Sequence, residues 1–409
     1  MPEINTGDTA WVLASTALVM LMTPALGFFY AGLVRRKNVL ATIMHSFFIL
    51  CLISVQWILF GYSLAFGPSL RGIVGDLSWL GLNGVTLEPN PDYAATIPHQ
   101  LYMAFQMMFA IITPALITGA FAERKRFKAF AIFSILWATL VYDPVAHWVW
   151  GAGGWLKALG ALDFAGGTVV HITAGMSALV AAMVIGKRVG LENEPIEPHD
   201  ATMTILGAAL LWFGWFGFNA GSALAANGLA VSAFINTNTA AAMAALAWMT
   251  VSWLHKGVPS ALGAAIGAVA GLVAITPAAG FVTPPASILI GLGAGVFCYG
   301  AVHLKSLFKV DDALDVWACH GVGGVWGALA TGLFATKTIN PAGADGLFYG
   351  NPGQLVTQLI AVVAVILFSI VMTFVILKLV DVTIGLRVGE EEERMGLDAT
   401  QHGELAYQI

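Results

Sequence analysis

The segment Asp163-Phe-Ala-Gly-Gly-Thr-Val-Val-His171 recurs in altered form as Asp312-Ala-Leu-Asp-Val-Trp-Ala-Cys-His320. In both, an aspartate precedes a histidine by eight residues, and a glycine, Gly175 or Gly324, follows the histidine four residues later. Each segment opens a long apolar run that is typical of a buried helix. Polar rings are costly to bury in hydrocarbon, where bulk water is absent. These histidines are therefore the first candidates for function.

The composition around them is that of an integral membrane protein. Of the 409 residues, 58% are hydrophobic and 10% are charged, and the mean hydropathy is +0.82. Such a chain cannot cover its apolar surface in a water-soluble fold. Its apolar runs of about 18 to 28 residues suit helices that cross a hydrocarbon core of ~30 Å. The small net charge of −5 indicates no nucleic-acid partner.

We predict an all-α integral membrane protein with eleven transmembrane helices. The predicted spans are 9–33, 40–66, 99–122, 129–149, 164–186, 200–222, 229–254, 258–276, 285–304, 313–335 and 354–380. In membrane proteins, Lys and Arg are generally enriched in the loops on the cytoplasmic side. Placing the N-terminus outside leaves only Arg71, Lys157 and Lys337 of the eighteen basic residues outside. The predicted topology in the plasma membrane is therefore N-terminus out and C-terminus in.

The repeated aspartate–histidine pattern divides these helices into two halves. A weaker echo, Phe29-Tyr-Ala-Gly32 and Phe218-Asn-Ala-Gly221, lies on the first and sixth spans, although such strings also recur by chance. We predict two inverted five-helix repeats and one C-terminal helix. The predicted segments are an extracellular N-terminus 1–8, a first repeat 9–186, a cytoplasmic linker 187–199, a second repeat 200–335, an outer loop with the eleventh helix 336–380 and a cytoplasmic tail 381–409.

Opposite helix directions bring the two histidines to a common depth. Asp163 starts the fifth span outside and Asp312 starts the tenth span inside, and eight residues of α-helix advance each histidine by ~12 Å. In a core of ~30 Å both rings approach the midplane, where inverted-repeat proteins place binding sites. Each ring can bond the other and turn its second nitrogen towards a pore. The alternative is two separate core histidines bonded to backbone carbonyls. Depth and symmetry favour the pair.

The two aspartates admit more than one role. Asp163 is expected either to cap its helix through backbone N–H groups or to stabilise an incoming cation, and the sequence does not decide between these roles. For Asp312, capping or pairing with Lys305 or Lys309 is favoured.

Aromatic side chains gather on the outer halves of the third, fourth and sixth spans. Phe105 and Phe109 are four residues apart on one helix face, as are Phe218 and Ser222 on another, and Trp150 ends the fourth span at the same level. Such a cluster can bind a dehydrated cation through cation–π attraction, which contributes ~2 kcal/mol. Taken alone, the sequence favours ordinary packing or an interfacial belt.

Other features indicate neither an enzyme nor a resident cofactor. The sequence contains no nucleophile elbow, phosphate loop or metal-binding string. Cys51, Cys298 and Cys319 lie in apolar runs and are predicted to be buried thiols. The charged tail beyond Asp381 is expected to be a solvated surface, or to dock on cytoplasmic loops or a soluble partner.

The chain resembles the ammonium transporter/Rhesus family, and within it the microbial ammonium transporters. The resemblance is carried, in family order and along nearly the whole chain, by Gly27-Phe-Phe-Tyr-Ala-Gly32 with Arg36-Lys-Asn38, Ala120-Phe-Ala-Glu-Arg124, Ala146-His-Trp-Val-Trp-Gly151, Asp163–His171, Trp215-Phe-Gly-Phe-Asn-Ala-Gly-Ser222, Asp315-Val-Trp-Ala-Cys-His-Gly-Val-Gly-Gly324 and Gly385-Leu-Arg387.

This resemblance implies an eleven-helix protomer, a homotrimer and one narrow pore in each protomer. The implied residue roles are an external ammonium site (Trp150, Phe105, Phe109 and Ser222, supported by Asp163), a stacked gate (Phe109 and Phe218) and twin pore histidines (His171 and His320). The resemblance thus reverses the packing interpretation of the aromatic residues. It also implies that the tail is a regulatory C-terminus, which in many microbial members contacts a PII-type signal protein.

The predicted function is selective ammonium uptake. NH4+ would lose its water at the aromatic site and give up a proton, and NH3 would cross a twin-histidine pore with the proton relayed. Three alternatives stay open at this stage. They are an electroneutral NH3 or CO2 channel of the Rhesus type, an ammonium sensor that signals through its tail, and a membrane enzyme with a metal on the histidines.

Overall fold

Helices make up most of the protein. The computed structural model describes residues 3–192 and 196–407. The α-helices in chain order are α1 Thr6–Leu33, α2 Val39–Gln56, α3 Tyr62–Phe66, α4 His99–Ile117, α5 Phe127–Trp137, α6 Asp143–Trp150, α7 Trp155–Leu159, α8 Thr173–Ile185, α9 Ala201–Gly221, α10 Gly228–Lys256, α11 Ala261–Ile275, α12 Pro284–Leu307, α13 Gly323–Phe334, α14 Pro352–Ile384 and α15 Glu390–Met395. Within this part of the chain the strands are β1 Ser69–Leu70 and β2 Val74–Gly75, an antiparallel hairpin.

Four π-helical turns are continuous with α-helices: Trp57–Gly61, Ala138–Tyr142, Gly167–Ile172 and Trp317–Val322. Another π-turn, Asp398–His402, lies in the tail. A π-turn carries an extra residue and is often found at functional sites. Here Gly167–Ile172 contains His171 and leads into α8, while Trp317–Val322 contains His320 and leads into α13.

The predicted helical, multi-pass membrane architecture is confirmed. Among the described residues, nine helices are long and apolar enough to cross a membrane, and the apolar helix α11 is shorter. Large apolar side chains such as Leu367 and Val371 on α14 are exposed, as expected for a surface that faces lipid. The count of eleven spans, the segment boundaries, the repeats and the orientation of the termini stay predictions.

Glycines allow the helices to approach closely. A Cβ added to Gly207 of α9 would lie 2.4 Å from the backbone nitrogen of Phe29 in α1. A Cβ on Gly267 of α11 would lie 2.5 Å from Cβ of Trp248, and one on Gly295 of α12 would lie 2.6 Å from Cβ of Ala247. Close van der Waals packing of this kind holds helices together in lipid, where the hydrophobic effect does not drive them to associate.

Close approach at glycine also brings the two histidine segments together. A Cβ on Gly175 would lie 2.1 Å from the backbone nitrogen of Gly321, so α8 crosses the His320 segment almost backbone to backbone. A Cβ on Gly324 would lie 3.1 Å from Cβ of His171. The glycine that follows each histidine in sequence therefore lies against the opposite histidine segment.

Arg35, Arg124 and Arg188 mark one end of the bundle, which we call the basic end. Arg188 bonds the Asp311 carboxylate through Nε at 2.9 Å and Nη2 at 2.8 Å. The Glu123 carboxylate accepts from the backbone N–H of Arg35 at 2.6 Å and from its Nε at 2.8 Å. Arg188 Nη1 also lies 3.5 Å from Glu123. This buried network ties loops from both halves of the chain together.

The described part of the tail docks on this basic end. The N–H of Arg126 donates to the Leu386 carbonyl at 2.9 Å, and the N–H of Val388 donates to the Arg124 carbonyl at 3.1 Å. Further along, Asp398 accepts from the N–H groups of Leu40 and Ala41. Of the sequence-based possibilities, docking on loops of the same chain is confirmed.

The cysteine prediction is correct for two residues and wrong for one. Cys298 and Cys319 are buried, whereas Cys51 is exposed on α2. An apolar run shows that a helix lies in the membrane, but it does not show which of its residues face lipid.

Candidate functional site

Four of the predicted site residues line a single cavity of about 190 Å³, which we call the aromatic cavity. Phe105, Phe109, Trp150 and Ser222 all contribute to its wall. Asp92, Tyr93, Tyr102, Gln106, Val149, Lys157, Phe164 and Leu224 complete it. The structure therefore brings together helices that the sequence left unconnected.

Trp150 is held in one orientation by its hydrogen bonds. Its indole Nε1–H donates to the backbone carbonyl of Asp163 at 2.9 Å, and its own carbonyl accepts from Lys157 Nζ at 3.0 Å. The indole meets the Phe109 ring edge to face, with centroids 5.9 Å apart and an interplanar angle of 88°. A fixed aromatic wall of this kind can bind a desolvated cation.

Ser222 places a hydroxyl in the same wall. Its Oγ–H donates to the carbonyl of Phe218 at 2.8 Å, one turn earlier on α9. The hydroxyl proton is thereby engaged, and an oxygen lone pair is left to accept a hydrogen bond from a ligand.

Asp163 caps the helix that carries His171. Its carboxylate accepts from the N–H groups of Gly166, Gly167 and Thr168 at 2.7 Å each, from Val169 at 3.3 Å, and from the Thr168 hydroxyl. A carboxylate has about four lone-pair positions, so these donors saturate it. Capping is thus shown, and any effect of Asp163 on a cation would act through its field rather than by contact.

Asp312 has the structural role that the sequence favoured. Its carboxylate accepts from the N–H of Trp317 at 2.8 Å, and its carbonyl accepts from Lys305 Nζ at 2.6 Å. Lys305 also forms an ion pair with Asp315.

Two phenylalanine rings lie between the aromatic cavity and the next space in the bundle. Phe109 and Phe218 are almost completely buried, and their ring centroids lie 4.2 Å apart with an interplanar angle of 34°. Phe109 lines the aromatic cavity, whereas Phe218 lines a central cavity of about 10 Å³. The ring pair therefore separates the two spaces.

His171 and His320 meet beneath these rings. Their Nδ1 atoms are 3.2 Å apart and their ring planes are inclined by 25°. Because one Nδ1 must donate and the other accept, the two rings hold opposite tautomers. His171 Nε2 is buried without a hydrogen-bond partner in the described protein. The rings are thus in contact, rather than separate core histidines that bond carbonyls.

The helical turns that carry the histidines begin later than the sequence spacing predicted. Eight residues of α-helix were expected from Asp163 to His171, but the helical turn begins only at Gly167 and is a π-turn. Likewise, the helical turn that holds His320 begins at Trp317. The aspartates act as caps several residues ahead of the helices, which the sequence spacing could not reveal.

A third cavity lies on the other side of the histidines. This basic-end cavity has a volume of about 230 Å³, and its lining includes Tyr30, Arg188, Asp315, Cys319 and His320. His320 lines both this space and the central cavity. The aromatic, central and basic-end cavities therefore follow one another through the bundle, with the phenylalanine pair and the imidazole pair at their junctions.

Sequence reasoning missed Trp215 as a site residue. Its ring stacks on His171 at 5.6 Å and 22°, and its Nε1–H donates to Thr276 Oγ1 at 2.9 Å. The available signal was its spacing of three residues from Phe218, which places both on one helix face. Asp92 and Lys157 of the aromatic cavity were also missed, because neither belongs to a predicted span.

Similarity to known proteins agrees with this arrangement. The sequence profile of the Ammonium Transporter Family matches residues 10–407. The chain is 57% identical over 403 residues to an ammonium transporter of Bacillus subtilis (strain 168), covering 98% of both chains. The chain belongs to the ammonium transporter family.

An archaeal protein and a solved crystal structure from the same family are also similar to this chain. The chain is 52% identical to the ammonium transporter Amt1 of Archaeoglobus fulgidus, over 99% of this chain and 100% of the relative. Its fold matches the crystal structure of Saccharomyces cerevisiae Mep2 with a TM-score of 0.92 and 37% identity, covering 99% of this chain and 92% of the other. Membership of the ammonium transporter family makes the protein a transporter rather than an enzyme.

Proposed function

We propose that this protein takes up ammonium by binding NH4+ in the aromatic cavity, removing its proton and passing NH3 beside the imidazole pair with the proton relayed. One observation carries the proposal: an aromatic and hydroxyl-lined cavity, a phenylalanine pair and two bonded imidazoles follow one another, each in contact with the next. Family membership and the names of the relatives support ammonium as the substrate.

The aromatic cavity is suited to a small dehydrated cation. The faces of Trp150, Phe105 and Phe109 would replace part of the hydration shell of NH4+ by cation–π attraction, worth about 2 kcal/mol in a dehydrated site. Ser222 Oγ would accept one N–H of the ion, because its own proton is already donated to Phe218.

The central cavity would select for NH3. A space of about 10 Å³ is close to the minimum that holds one water-sized molecule, so a hydrated ion does not fit. NH4+ can become neutral by releasing a proton, whereas K+ has none to release. Phe109 and Phe218 would act as the gate to this space.

The imidazole pair would then receive the uncharged nitrogen. His171 Nε2 has no hydrogen-bond partner in the described protein and can donate a proton to the NH3 lone pair or accept one. The proton taken from NH4+ would move along the ring nitrogens of His171 and His320, and NH3 would recover a proton on the other side. Net transport would then be electrogenic.

We also propose the finer architecture of eleven spans in two inverted five-helix repeats plus a C-terminal helix. The mutual placement of Gly175 and Gly324 against the opposite histidine segments supports this symmetry. Family resemblance supports a homotrimer in the plasma membrane with the basic end in the cytoplasm. It also supports a PII-type signal protein as a partner at the docked tail.

The decisive measurement is a current recording on proteoliposomes under separate ammonium and pH gradients. We expect a saturable inward current that is evoked by ammonium and not by K+. Methylammonium uptake without current would contradict the relayed proton and indicate an electroneutral channel. Absence of both uptake and current would contradict the transport function.

A further inference from the structure

The aromatic cavity contains a cation that belongs to the protein. Lys157 and Asp92 both line it and both are exposed. Lys157 Nζ donates to the carbonyl of Trp150 at 3.0 Å and lies 6.0 Å from the centroid of the Tyr93 ring. A primary ammonium group is thus bound by a carbonyl and faces an aromatic ring, which are the kinds of group that bind NH4+.

We infer that Lys157 sets the affinity of this cavity for its cation, acting as a tethered competing charge that Asp92 partly offsets. The inference rests on the proposed function, because it concerns the entry of NH4+ into the same cavity. It assigns roles to two cavity-lining residues that the sequence motifs do not include and that the proposed function does not use.

The physical basis is repulsion between like charges within a small space. The cavity holds about 190 Å³, so an entering cation lies within a few ångströms of the Lys157 ammonium group. At this range, two unit charges in a partly hydrated site repel enough to weaken binding roughly two- to tenfold. Asp92 has the opposite sign on the same wall and should strengthen binding.

A purely structural role makes a different prediction. If Lys157 only fixed the Trp150 carbonyl, its replacement would disturb the site and raise the half-saturation concentration. Removal of a repelling charge would instead lower it, and salt would reduce this effect only moderately, because a separation of a few ångströms is shorter than the Debye length of ~8 Å at 0.15 M. The direction of the change therefore separates the two roles.

The test uses full-length protein in vesicles of zwitterionic lipid, which carry no surface charge of their own. The half-saturation concentration for radiolabelled methylammonium uptake is measured at about 10 mM and about 150 mM ionic strength. The variants are Lys157→Gln, which removes the charge, Lys157→Arg, which keeps it, and Asp92→Asn. Lys337→Gln is the matched control, because it removes a predicted outer charge that does not line the cavity.

For Lys157→Gln we expect the half-saturation concentration to fall roughly two- to tenfold at low salt, with the difference shrinking at higher salt. Lys337→Gln should resemble the unmodified protein, Lys157→Arg should not show the fall seen in Lys157→Gln, and Asp92→Asn should raise the value. An unchanged or raised value in Lys157→Gln would overturn this inference and leave the proposed function standing. Absence of uptake in the unmodified protein would overturn the proposed function and this inference with it.

Discussion

The imidazole pair is the smallest unit on which the proposed transport depends. The Nδ1 atoms of His171 and His320 share a single contact of 3.2 Å, so each ring fixes the tautomer of the other. Trp215 stacks on His171 and restricts its rotation. Loss of either imidazole therefore both unpairs its partner and enlarges the small central cavity.

We expect His171→Ala and His320→Ala each to abolish or redirect the ammonium-evoked current. The larger cavity would admit water, so K+ would gain entry while the proton relay is broken. Currents evoked by ammonium and by K+ are compared in proteoliposomes, with His255→Ala as the control because that ring lies outside all three cavities. Unchanged selectivity in both variants would exclude a role of the pair in conduction.

The two histidines could be found from sequence because their spacing repeats within apolar runs, where a polar ring is costly. Asp143 could not be found in this way, because it occurs once, inside the predicted span 129–149. The structure buries its carboxylate, with Gln56 Nε2 2.8 Å from Oδ2. A single polar residue in an apolar run carries no information about its partner, which here comes from a distant helix.

At the level of elements, the crossing of the two histidine segments depends on glycine. Gly175 contacts the backbone of Gly321 so closely that any Cβ would overlap it, and no side-chain rotation can relieve that overlap. A Cβ added at Gly324 would lie 3.1 Å from its nearest neighbours, which include the side chain of Ile172. The two glycines are equivalent in sequence pattern but differ in the space around them.

Gly175→Ala should therefore be far more damaging than Gly324→Ala. Separating the backbones would pull His171 away from His320, so we expect loss of transport and a loss of stability of about 2 kcal/mol or more, in the range seen for overpacked cores. Gly324→Ala should retain much of its activity. Thermal unfolding in detergent and methylammonium uptake are measured for both. Equal effects would contradict the proposed asymmetry.

The helices themselves were largely predictable from sequence, whereas the turns, caps and contacts that connect them were not. Hydrophobic runs indicated where the long apolar helices lie, because the bilayer limits both their length and their polarity. The π-turns and the caps of Asp163 and Asp312 depend on a few local hydrogen bonds that leave little trace in composition. The contact between Phe109 and Phe218 depends on how two distant helices pack, which periodicity cannot show.

For the whole molecule, the buried charges at the basic end link the two halves. Burial alone would raise the pKa of Glu123, but Arg188 and Arg35 more than offset this and hold the pKa below its ordinary value. The pKa of Asp311 is likewise lowered, because bonds to Arg188 and attraction to Arg124 outweigh burial. Both carboxylates therefore stabilise the folded protein in their charged form.

The lowered pKa values of Glu123 and Asp311 predict how the stability of the folded protein responds to acid. A lowered pKa contributes stability that is present above the unfolded-state pKa of about 4 and is lost as the pH falls through the folded-state pKa. We expect the thermal midpoint in detergent to decline below about pH 4 through these groups. Glu123→Gln should lower the midpoint at neutral pH and reduce that decline, whereas Glu88→Gln, at an exposed position, should leave both unchanged. A midpoint unaffected by Glu123→Gln would contradict the network's contribution.

The docked tail couples this network to the last residues of the chain through one buried carboxylate. Glu393 Oε1 accepts from the Val189 N–H at 2.6 Å and Oε2 accepts from Arg387 Nη2 at 2.7 Å, and the Glu393 side chain is fully buried. Charged hydrogen bonds of this kind contribute about 2 kcal/mol, so Glu393→Ala should raise the undocked fraction roughly thirtyfold. Faster amide exchange across residues 386–402 would report this release, and Glu391→Ala, on the exposed face of α15, is the control. Protection that survives in Glu393→Ala would mean that Asp398 and the backbone pairing with residues 124–126 hold the tail without the carboxylate.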